Sequence, residues 1–508
     1  MPIAPPTAPP TARSWSRVAL PAILGVAAAL RLFHLGKESF WLDEAFSVSI
    51  AKTTLRHIVD ETSIDVHPPL YYFLLHYWLG WLGTLDATAR GLSVVFNLGT
   101  IVATYFVGRR LFDRPSALAA AGLLACSVFQ IEFSQEARMY TLLALLGTLS
   151  TYCLLRWFER VSTSTPFRTH APWLVAYVLA TVPMTYTHAY SAFLIAAHAV
   201  IVALESLRRP EGRVRLAAEW CAAQVVVALA FIPWLSVFAG QFSHVQQGFW
   251  IPKTLPSMLF WPLLTYAGSA SLVAIVASLA VWGAATSWGR AAANSGPPPL
   301  AVLLPWLAAP IVCPWVLSFI GSPIFLPKYT IAASVPFALL AGRGMARLPN
   351  GRWRLAALAL LAGLTATPLH TYYTSERKDG WRKAVANIEA AAMPGDAVVT
   401  YPSFNQIPYD IYSRRPDLVK LVLPRDAGSD SDAALALVLR ERLTPHRRAW
   451  VVVLQWDPHK PLIVEELGKL YPRVTRIREW HIDVYLCEPE QQTAGGTGPL
   501  AAPPGAGR

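Results

Sequence analysis

The sequence has few charged residues. Asp, Glu, Lys and Arg together make up 15% of its 508 residues, whereas about a quarter is usual in soluble globular proteins. This shortage excludes a single soluble enzyme, a disordered chain and a coiled coil. Hydrophobic residues instead make up 54%, and surface that faces lipid tolerates almost no charge. The composition therefore predicts an α-helical polytopic membrane protein.

Cysteine is also scarce: there are five, with no CxxC pair. The cysteines therefore indicate neither a disulfide framework nor a zinc site. Acidic residues are outnumbered by basic ones, 31 to 43, which gives a net charge of +12. In so apolar a chain, basic cytoplasmic loops explain this excess better than nucleic-acid binding does. We therefore expect membrane lipids around the protein and no nucleic acid partner.

The apolar runs predict about eleven membrane spans, with a first span that acts as an uncleaved signal anchor behind Arg13 and Arg17. The segment 68–83 is short and rich in aromatic residues, as is typical of an interfacial helix. With this assignment every cytoplasmic loop carries basic residues, and the C-terminus lies outside. The spans lie near residues 18–32, 88–107, 116–131, 140–157, 172–189, 190–206, 216–238, 256–286, 300–320, 329–342 and 354–371.

The composition changes after the last span. Residues 13–372 form the predicted membrane domain, with a first outer loop at 34–87, and residues 373–488 form a small soluble α/β domain on the outer face. The low-complexity ends, 1–12 and 489–508, are expected to be disordered. In the soluble domain, strands are predicted within 396–402, 449–456 and 474–488, and helices at 381–392, 432–443 and 460–470.

Acidic residues collect in the first outer loop. Asp43 and Glu44 are adjacent, so they point to different faces of a helix, and Asp65 and His67 follow just before a Pro-Pro pair. A carboxylate beside an imidazole at a membrane surface suits proton abstraction from an acceptor. A solvated first turn of a helix, where acids favour the dipole, is the structural alternative for the Asp-Glu pair.

The other outer turns offer further polar residues. Glu136 and Arg138 form either an internal ion pair or a site that orients an acceptor, a cation or an anionic group. His188 is either a packing residue or part of the same site. Lys328, which precedes Tyr329, either snorkels to the membrane surface or contacts a phosphate. All of these residues are predicted to lie on one face of the membrane.

Several motifs together resemble a known family. They resemble the bacterial branch of the protein O-mannosyltransferase-like glycosyltransferases, which are membrane enzymes of the C-type glycosyltransferase fold related to the lipid A aminoarabinose transferase. The resemblance covers about residues 18–345. Its motifs are WLDEAFS (41–47), DVHPPLYYFLLHYW (65–78), Arg90, GRRLF (108–112), FSQEARMY (133–140), YTH (186–188) and PKY (327–329).

The resemblance implies a polyprenyl-phosphate-linked sugar as donor and an acceptor that enters from the periplasmic side. It implies that Asp43 is the general base and that Glu44 positions the acceptor or the loop. His67 and Lys328 are then expected to contact the lipid phosphate, although Lys328 stands where many relatives have arginine, which grips phosphate with two hydrogen bonds. The expected substrate-binding residues are Asp65, His67, Arg90, Glu136, Arg138, His188, Lys328 and Tyr329.

No cofactor is expected, because a lipid phosphate is already a good leaving group. The acids Asp43, Glu44, Asp65 and Glu136 are also compatible with a bound divalent cation. The acceptor is expected to be a hydroxyl- or phosphate-bearing lipid, glycan or protein, and the location is the inner cell membrane. A transporter or lipid flippase is the alternative function, but it would place charges near the middle of the spans.

Overall fold

The computed structural model describes residues 10–162, 164–246, 250–288, 296–423 and 431–489. These residues fall into two compact units. The larger unit comprises the described residues up to Glu38 together with Phe46–Glu376, and the smaller unit comprises Ser39–Ala45 and the described residues from Arg377 onward. Residues 1–9 and 490–508, which lie in the segments predicted to be disordered, are outside the described residues. The first helix begins at Pro10, inside the predicted N-terminal segment.

The chain up to Glu376 is helical. Its α-helices are α1 (Pro10–Leu32), α2 (Leu42–Ala51), α3 (Leu55–Ile64), α4 (Leu70–Leu82), α5 (Asp86–Leu111), α6 (Arg114–Cys126), α7 (Val128–Ser134), α8 (Tyr140–Phe158), α9 (Phe167–Thr185), α10 (Ser191–Arg208), α11 (Arg213–Gln246), α12 (Trp261–Ala267), α13 (Ala270–Ala285), α14 (Pro299–Ile320), α15 (Ser334–Ala346) and α16 (Gly351–Thr374). Short 3-10 helices at Pro256–Phe260 and Pro327–Ala333 precede α12 and α15.

Helices occupy every place where an apolar run predicts a span. Among the described residues, six helices are long and apolar enough to cross a membrane, and up to eight qualify if each bent pair counts as one span. The other three predicted spans stay predictions: the apolar part of α1 covers only Val18–Leu32, α9 has a polar first turn, and α15 has 13 residues. The six helices are α5, α8, α10, α11, α14 and α16.

The predicted interfacial helix corresponds to α4. It has 13 residues, so it rises only about 20 Å, less than the roughly 30 Å apolar core of a bilayer. One side of it is buried through Tyr71, Tyr72 and Leu75, while Trp81 is 80% exposed. A helix of this length and pattern fits the membrane surface better than a crossing.

A buried arginine stabilises the break between α6 and α7, which are bent by 60°. Arg31 is completely buried, and its guanidinium donates to the carbonyl oxygens of Leu124 and Ala125 at 3.0 and 2.9 Å. Its Nε also donates to Asn97 at 2.6 Å. Because the last carbonyl groups of a helix have no partner within that helix, Arg31 satisfies groups that would otherwise be costly in an apolar environment.

Glycines allow α13 and α15 to pack closely. A Cβ atom at Gly344 would overlap the carbonyl oxygen of Leu279, and one at Gly283 would overlap that of Leu340. Small residues at such crossings let two backbones approach, which is a common way for helices to associate in membranes. The close approach therefore depends on glycine at both positions.

Replacing Gly344 with Ala is expected to destabilise the protein by about 1–3 kcal/mol, because the added methyl group must push two backbones apart. The matched control is Gly122→Ala in α6, where an added Cβ meets nothing within 4 Å. Thermal unfolding of the detergent-purified variants, followed by tryptophan fluorescence, measures the difference. Equal melting temperatures would contradict the dependence on glycine.

The C-terminal part of the smaller unit is an α/β domain with one five-stranded mixed sheet in the order β2-β1-β3-β5-β4. Strands β1, β2 and β3 are parallel, and β5 is antiparallel to both β3 and β4. The elements are α17 (Trp381–Ala391), β1 (Ala397–Tyr401), α18 (Gln406–Tyr412), β2 (Val419–Leu421), α19 (Asp432–Leu443), β3 (Ala449–Leu454), α20 (Lys460–Leu470), β4 (Arg473–Glu479) and β5 (Ile482–Glu488).

Each face of this sheet has its own apolar core. On one face, alternate residues of β1 such as Val399 pack with Leu439 of α19 and Leu467 of α20. On the other face, Val398 packs with Trp381 and Ile388 of α17. The three predicted helices lie where the sequence placed them. The segment 474–488, predicted as strand, forms two strands joined by a turn, and the short β2 was not predicted.

Candidate active site

The acid pair of the first outer loop lies in the first turn of α2. Its two carboxylates have different environments. Glu44 is completely buried, and its Oε2 lies 2.9 Å from Nζ of Lys378. Asp43 is half-buried. Both acids and Lys378 belong to the smaller unit. The Glu44 carboxylate is therefore enclosed in an ion pair, whereas the side chain of Asp43 is partly exposed.

In the larger unit, two histidines and several tyrosines form a buried cluster. The ring of His188 lies 5.2 Å from that of His67 and 4.8 Å from that of Tyr329, measured between centroids. The ring of Tyr140 lies 6.0 Å from that of Tyr329 and 6.2 Å from that of His188. The sequence predicted roles for His67, His188 and Tyr329. Tyr140 belongs to the motif FSQEARMY (133–140), but no role was predicted for it.

Lys328 adds a positive charge to this cluster. Its Nζ lies 5.6 Å from the ring centroid of Tyr140, 5.5 Å from that of Tyr329 and 5.6 Å from that of Trp250. Three aromatic faces around one ammonium group are favourable for a cation. The ammonium group is therefore held beside the histidines, and it is not directed away from the cluster.

The hydrogen bond of His188 determines where its proton lies. The backbone N–H of Tyr190 donates to Nδ1 at 3.1 Å, so a neutral imidazole carries its proton on Nε2. Nε2 has no hydrogen-bond partner among the residues that the structure describes. The cluster therefore contains a neutral N–H donor that is ready for an acceptor.

Asp65 and Arg138 complete the polar side of the cluster. Burial raises the pKa of Asp65, while Arg138 and the backbone N–H groups of Val66 and His67 lower it in part. Arg138 is 4% exposed, and its Nη1 donates to Ser47 at 3.1 Å and to Tyr72 at 3.3 Å. The sequence pointed to Arg138, but nothing in it identified Ser47 or Tyr72 as its partners.

Two other predicted residues take part in hydrogen bonds with the main chain. Arg90 is buried, and its Nη1 donates to the backbone carbonyl oxygens of Leu35 and Glu38, both at 2.9 Å. It therefore holds the chain that leads into the first outer loop. Glu136 is 7% exposed, and its carbonyl oxygen accepts from the N–H of Arg138 at 2.8 Å. Its predicted role toward a substrate stays a prediction.

Eight of the ten predicted residues thus form two groups. Asp43 and Glu44 belong to the smaller unit. The group in the larger unit is Asp65, His67, Arg138, His188, Lys328 and Tyr329. In the part of the chain that the structure describes, no group of three or more His, Cys, Asp or Glu residues is placed to hold a metal ion.

Residues 66–237 match the family model described as dolichyl-phosphate-mannose-protein mannosyltransferase. These residues contain most of the motifs that carry the predicted resemblance, which is thereby confirmed. The match indicates a membrane glycosyltransferase. No curated protein matches the sequence.

Solved structures with low sequence identity share the fold. ArnT from Cupriavidus metallidurans, solved in the apo state and bound to undecaprenyl phosphate, aligns with a TM-score of 0.62 in both states at 14% identity. The alignments cover 94% of this chain and 98% and 99% of those chains. The archaeal oligosaccharyltransferase AglB from Archaeoglobus fulgidus aligns with a TM-score of 0.55 at 11% identity over 88% of this chain and 70% of that chain. The predicted C-type glycosyltransferase fold is therefore confirmed.

Proposed function

We propose that the protein transfers a sugar from a polyprenyl-phosphate-linked donor to an acceptor on the outer face of the inner membrane, with Asp43 as general base. The observation that carries this proposal is the buried cluster around His188. It combines a neutral N–H donor, an ammonium group and a guanidinium group, all of which favour a bound phosphate. ArnT, whose fold the chain shares, has been solved with undecaprenyl phosphate.

The cluster is proposed to hold the donor phosphate. Lys328 supplies full positive charge, and His188 donates through Nε2 without changing its protonation state. His67, 5.2 Å from His188 between ring centroids, is the third candidate contact. These groups stabilise the negative charge that develops on the phosphate as the sugar leaves.

Asp43 is proposed to activate the acceptor. The proton of the acceptor hydroxyl passes to the carboxylate, and the acceptor oxygen bonds to the anomeric carbon. The bond from that carbon to the phosphate oxygen breaks at the same time, and its electron pair leaves with the polyprenyl phosphate. Attack from the side opposite the leaving group inverts the anomeric centre.

The outer location is proposed from the distribution of charge. Basic residues lie in the loops predicted to be cytoplasmic, such as 108–114 and 342–354, whereas the loops with the candidate site have no clusters of Arg or Lys. The sugar is not specified by these arguments. The acceptor is proposed to be a hydroxyl- or phosphate-bearing lipid, glycan or protein.

Binding of the donor's lipid phosphate can be tested without knowing the sugar. Undecaprenyl phosphate at 100 times its dissociation constant is expected to stabilise the purified protein by about 2.7 kcal/mol, seen as a higher melting temperature. Undecaprenol, which lacks the phosphate, is the matched control and is expected to have little effect. Equal shifts with both lipids would contradict a phosphate site.

Transfer is then measured with a panel of radiolabelled donors in which mannose, arabinose, galactose or aminoarabinose is linked to undecaprenyl phosphate. Membranes that contain the protein are expected to move the label from one of these donors to an acceptor fraction. Membranes without the protein give the background. If no donor is consumed although undecaprenyl phosphate binds, the transferase proposal fails while the phosphate site remains.

A further inference from the structure

The segment Ser39–Ala45, which carries the acid pair, groups with the C-terminal domain. Oγ of Ser39 donates to the carbonyl oxygen of Asp379 at 2.6 Å. The N–H of Phe40 donates to the hydroxyl group of Tyr412 at 2.7 Å. Phe40 is completely buried, and its ring centroid lies 6.3 Å from that of Tyr412. The backbone just before Asp43 is therefore fixed by residues more than 300 positions later in the chain.

The strongest of these contacts is the ion pair between Glu44 and Lys378. Glu44 is completely buried, and the side chain of Lys378 is 12% exposed. A carboxylate in such a place has lost its water, so it depends on its cation. Glu44 is also next to Asp43 in sequence, and two adjacent negative charges would repel each other. Lys378 neutralises the negative charge of Glu44.

The two residues that follow Lys378 contact the turn between β4 and β5. The N–H of Gly380 donates to the carbonyl oxygen of Trp480 at 3.0 Å. The side chain of the intervening Asp379 lies 3.1 Å from Nδ1 of His481. Burial raises the pKa of Asp379, and His481 offsets part of that rise. Asp379 and Gly380 are thus attached to the two residues of this turn.

We propose that Lys378 is a positioning residue for the transfer reaction: it acts through Glu44 to hold Asp43 in place, and the Asp379–His481 contact holds Lys378. This inference rests on the proposed function of Asp43. It assigns the C-terminal domain a role in the chemical step that is separate from any role in choosing the acceptor. Lys378 does not touch the substrate in this scheme.

The test compares Lys378→Met, Lys378→Arg and the double variant Glu44→Gln with Lys378→Met. Lys378→Met removes the ammonium group that lies 2.9 Å from the buried Glu44 carboxylate. It is expected to lower kcat at least 30-fold, with KM for the donor changed less than threefold. Lys378→Arg keeps the charge and is expected to restore most of kcat. The double variant removes both charges and is expected to be at least fivefold more active than Lys378→Met alone.

The matched control is Lys469→Met, which removes a lysine that pairs with the exposed Glu465 and the buried Glu466 in the same domain. It is expected to leave kcat unchanged. If Lys378→Met keeps kcat within threefold of the wild type, or if the double variant is no better than the single one, the positioning role is wrong. A rise in KM alone would also contradict it.

Hydrogen exchange of the peptide 39–51 gives a second measurement that does not require activity. The amides of this peptide are expected to exchange at least tenfold faster in Lys378→Met and to be unchanged in Lys469→Met. Unchanged exchange in Lys378→Met overturns the inference. Faster exchange in a protein that transfers no sugar supports the contact and shows that the proposed function is the part that fails.

Discussion

Replacing Asp43 with Asn is expected to reduce sugar transfer by about 100- to 10,000-fold, the range typical for loss of a general base. The amide has nearly the same shape as the carboxylate but cannot accept the acceptor's proton. Binding of the donor should be retained, because Asp43 is not assigned to the phosphate. The expected result is a fall in kcat with little change in the melting-temperature shift produced by undecaprenyl phosphate.

Asp60→Asn is the matched control for this prediction. Asp60 is an exposed acid of α3, and the change removes the same charge. Transfer by this variant should equal that of the wild type. If Asp43→Asn keeps more than a tenth of the wild-type rate, another group must take the proton and Asp43 is not the base.

Replacing Lys328 with Met is expected to weaken binding of undecaprenyl phosphate about 10- to 100-fold, since a hydrogen bond to a charged group contributes about 1.5–3 kcal/mol and each 1.4 kcal/mol is a factor of ten. The side chain of methionine keeps most of the apolar volume among the aromatic rings of Tyr140, Tyr329 and Trp250. The loss is therefore expected to come from the charge. The melting-temperature shift measured over a range of lipid concentrations gives the affinity.

Two further variants sharpen this prediction. Lys328→Arg keeps the positive charge, and its planar guanidinium group forms two hydrogen bonds with a phosphate. The affinity of this variant for undecaprenyl phosphate should therefore be at least that of the wild type. Lys52→Met removes an exposed lysine of the first outer loop and should leave the affinity unchanged. Equal loss in Lys328→Met and Lys52→Met would mean that only the general surface charge attracts the lipid.

Much of the fold was predictable because the membrane acts on local segments. A helix that crosses or approaches a bilayer needs a run of apolar residues, so the hydropathy pattern placed all eleven helical regions. The hydropathy pattern did not predict the bends between paired helices. The break between α6 and α7 depends on Arg31, whose partners Leu124 and Ala125 lie more than 90 residues away in sequence.

The candidate site, like the fold, was predictable from the sequence only in part. Asp43, His67, His188 and Lys328 were predicted from the polar residues at outer turns and from a family resemblance. The side chains that surround them were not: nothing in the local sequence assigns Tyr140 to the ammonium group of Lys328. The donor role of His188 follows from its contact with the backbone of Tyr190, which only the folded turn reveals.

The sequence by itself determined that this is a polytopic membrane protein with a small C-terminal α/β domain, because composition and periodicity are properties of short segments. That the acids of the outer turns share one face of the membrane stays a prediction. Only the tertiary structure decided what Glu44 does. Its partner, Lys378, is 334 positions away, and a buried carboxylate is tolerated only where folding brings a cation to it. That contact gives the two adjacent acids different environments, which their residue types alone do not determine.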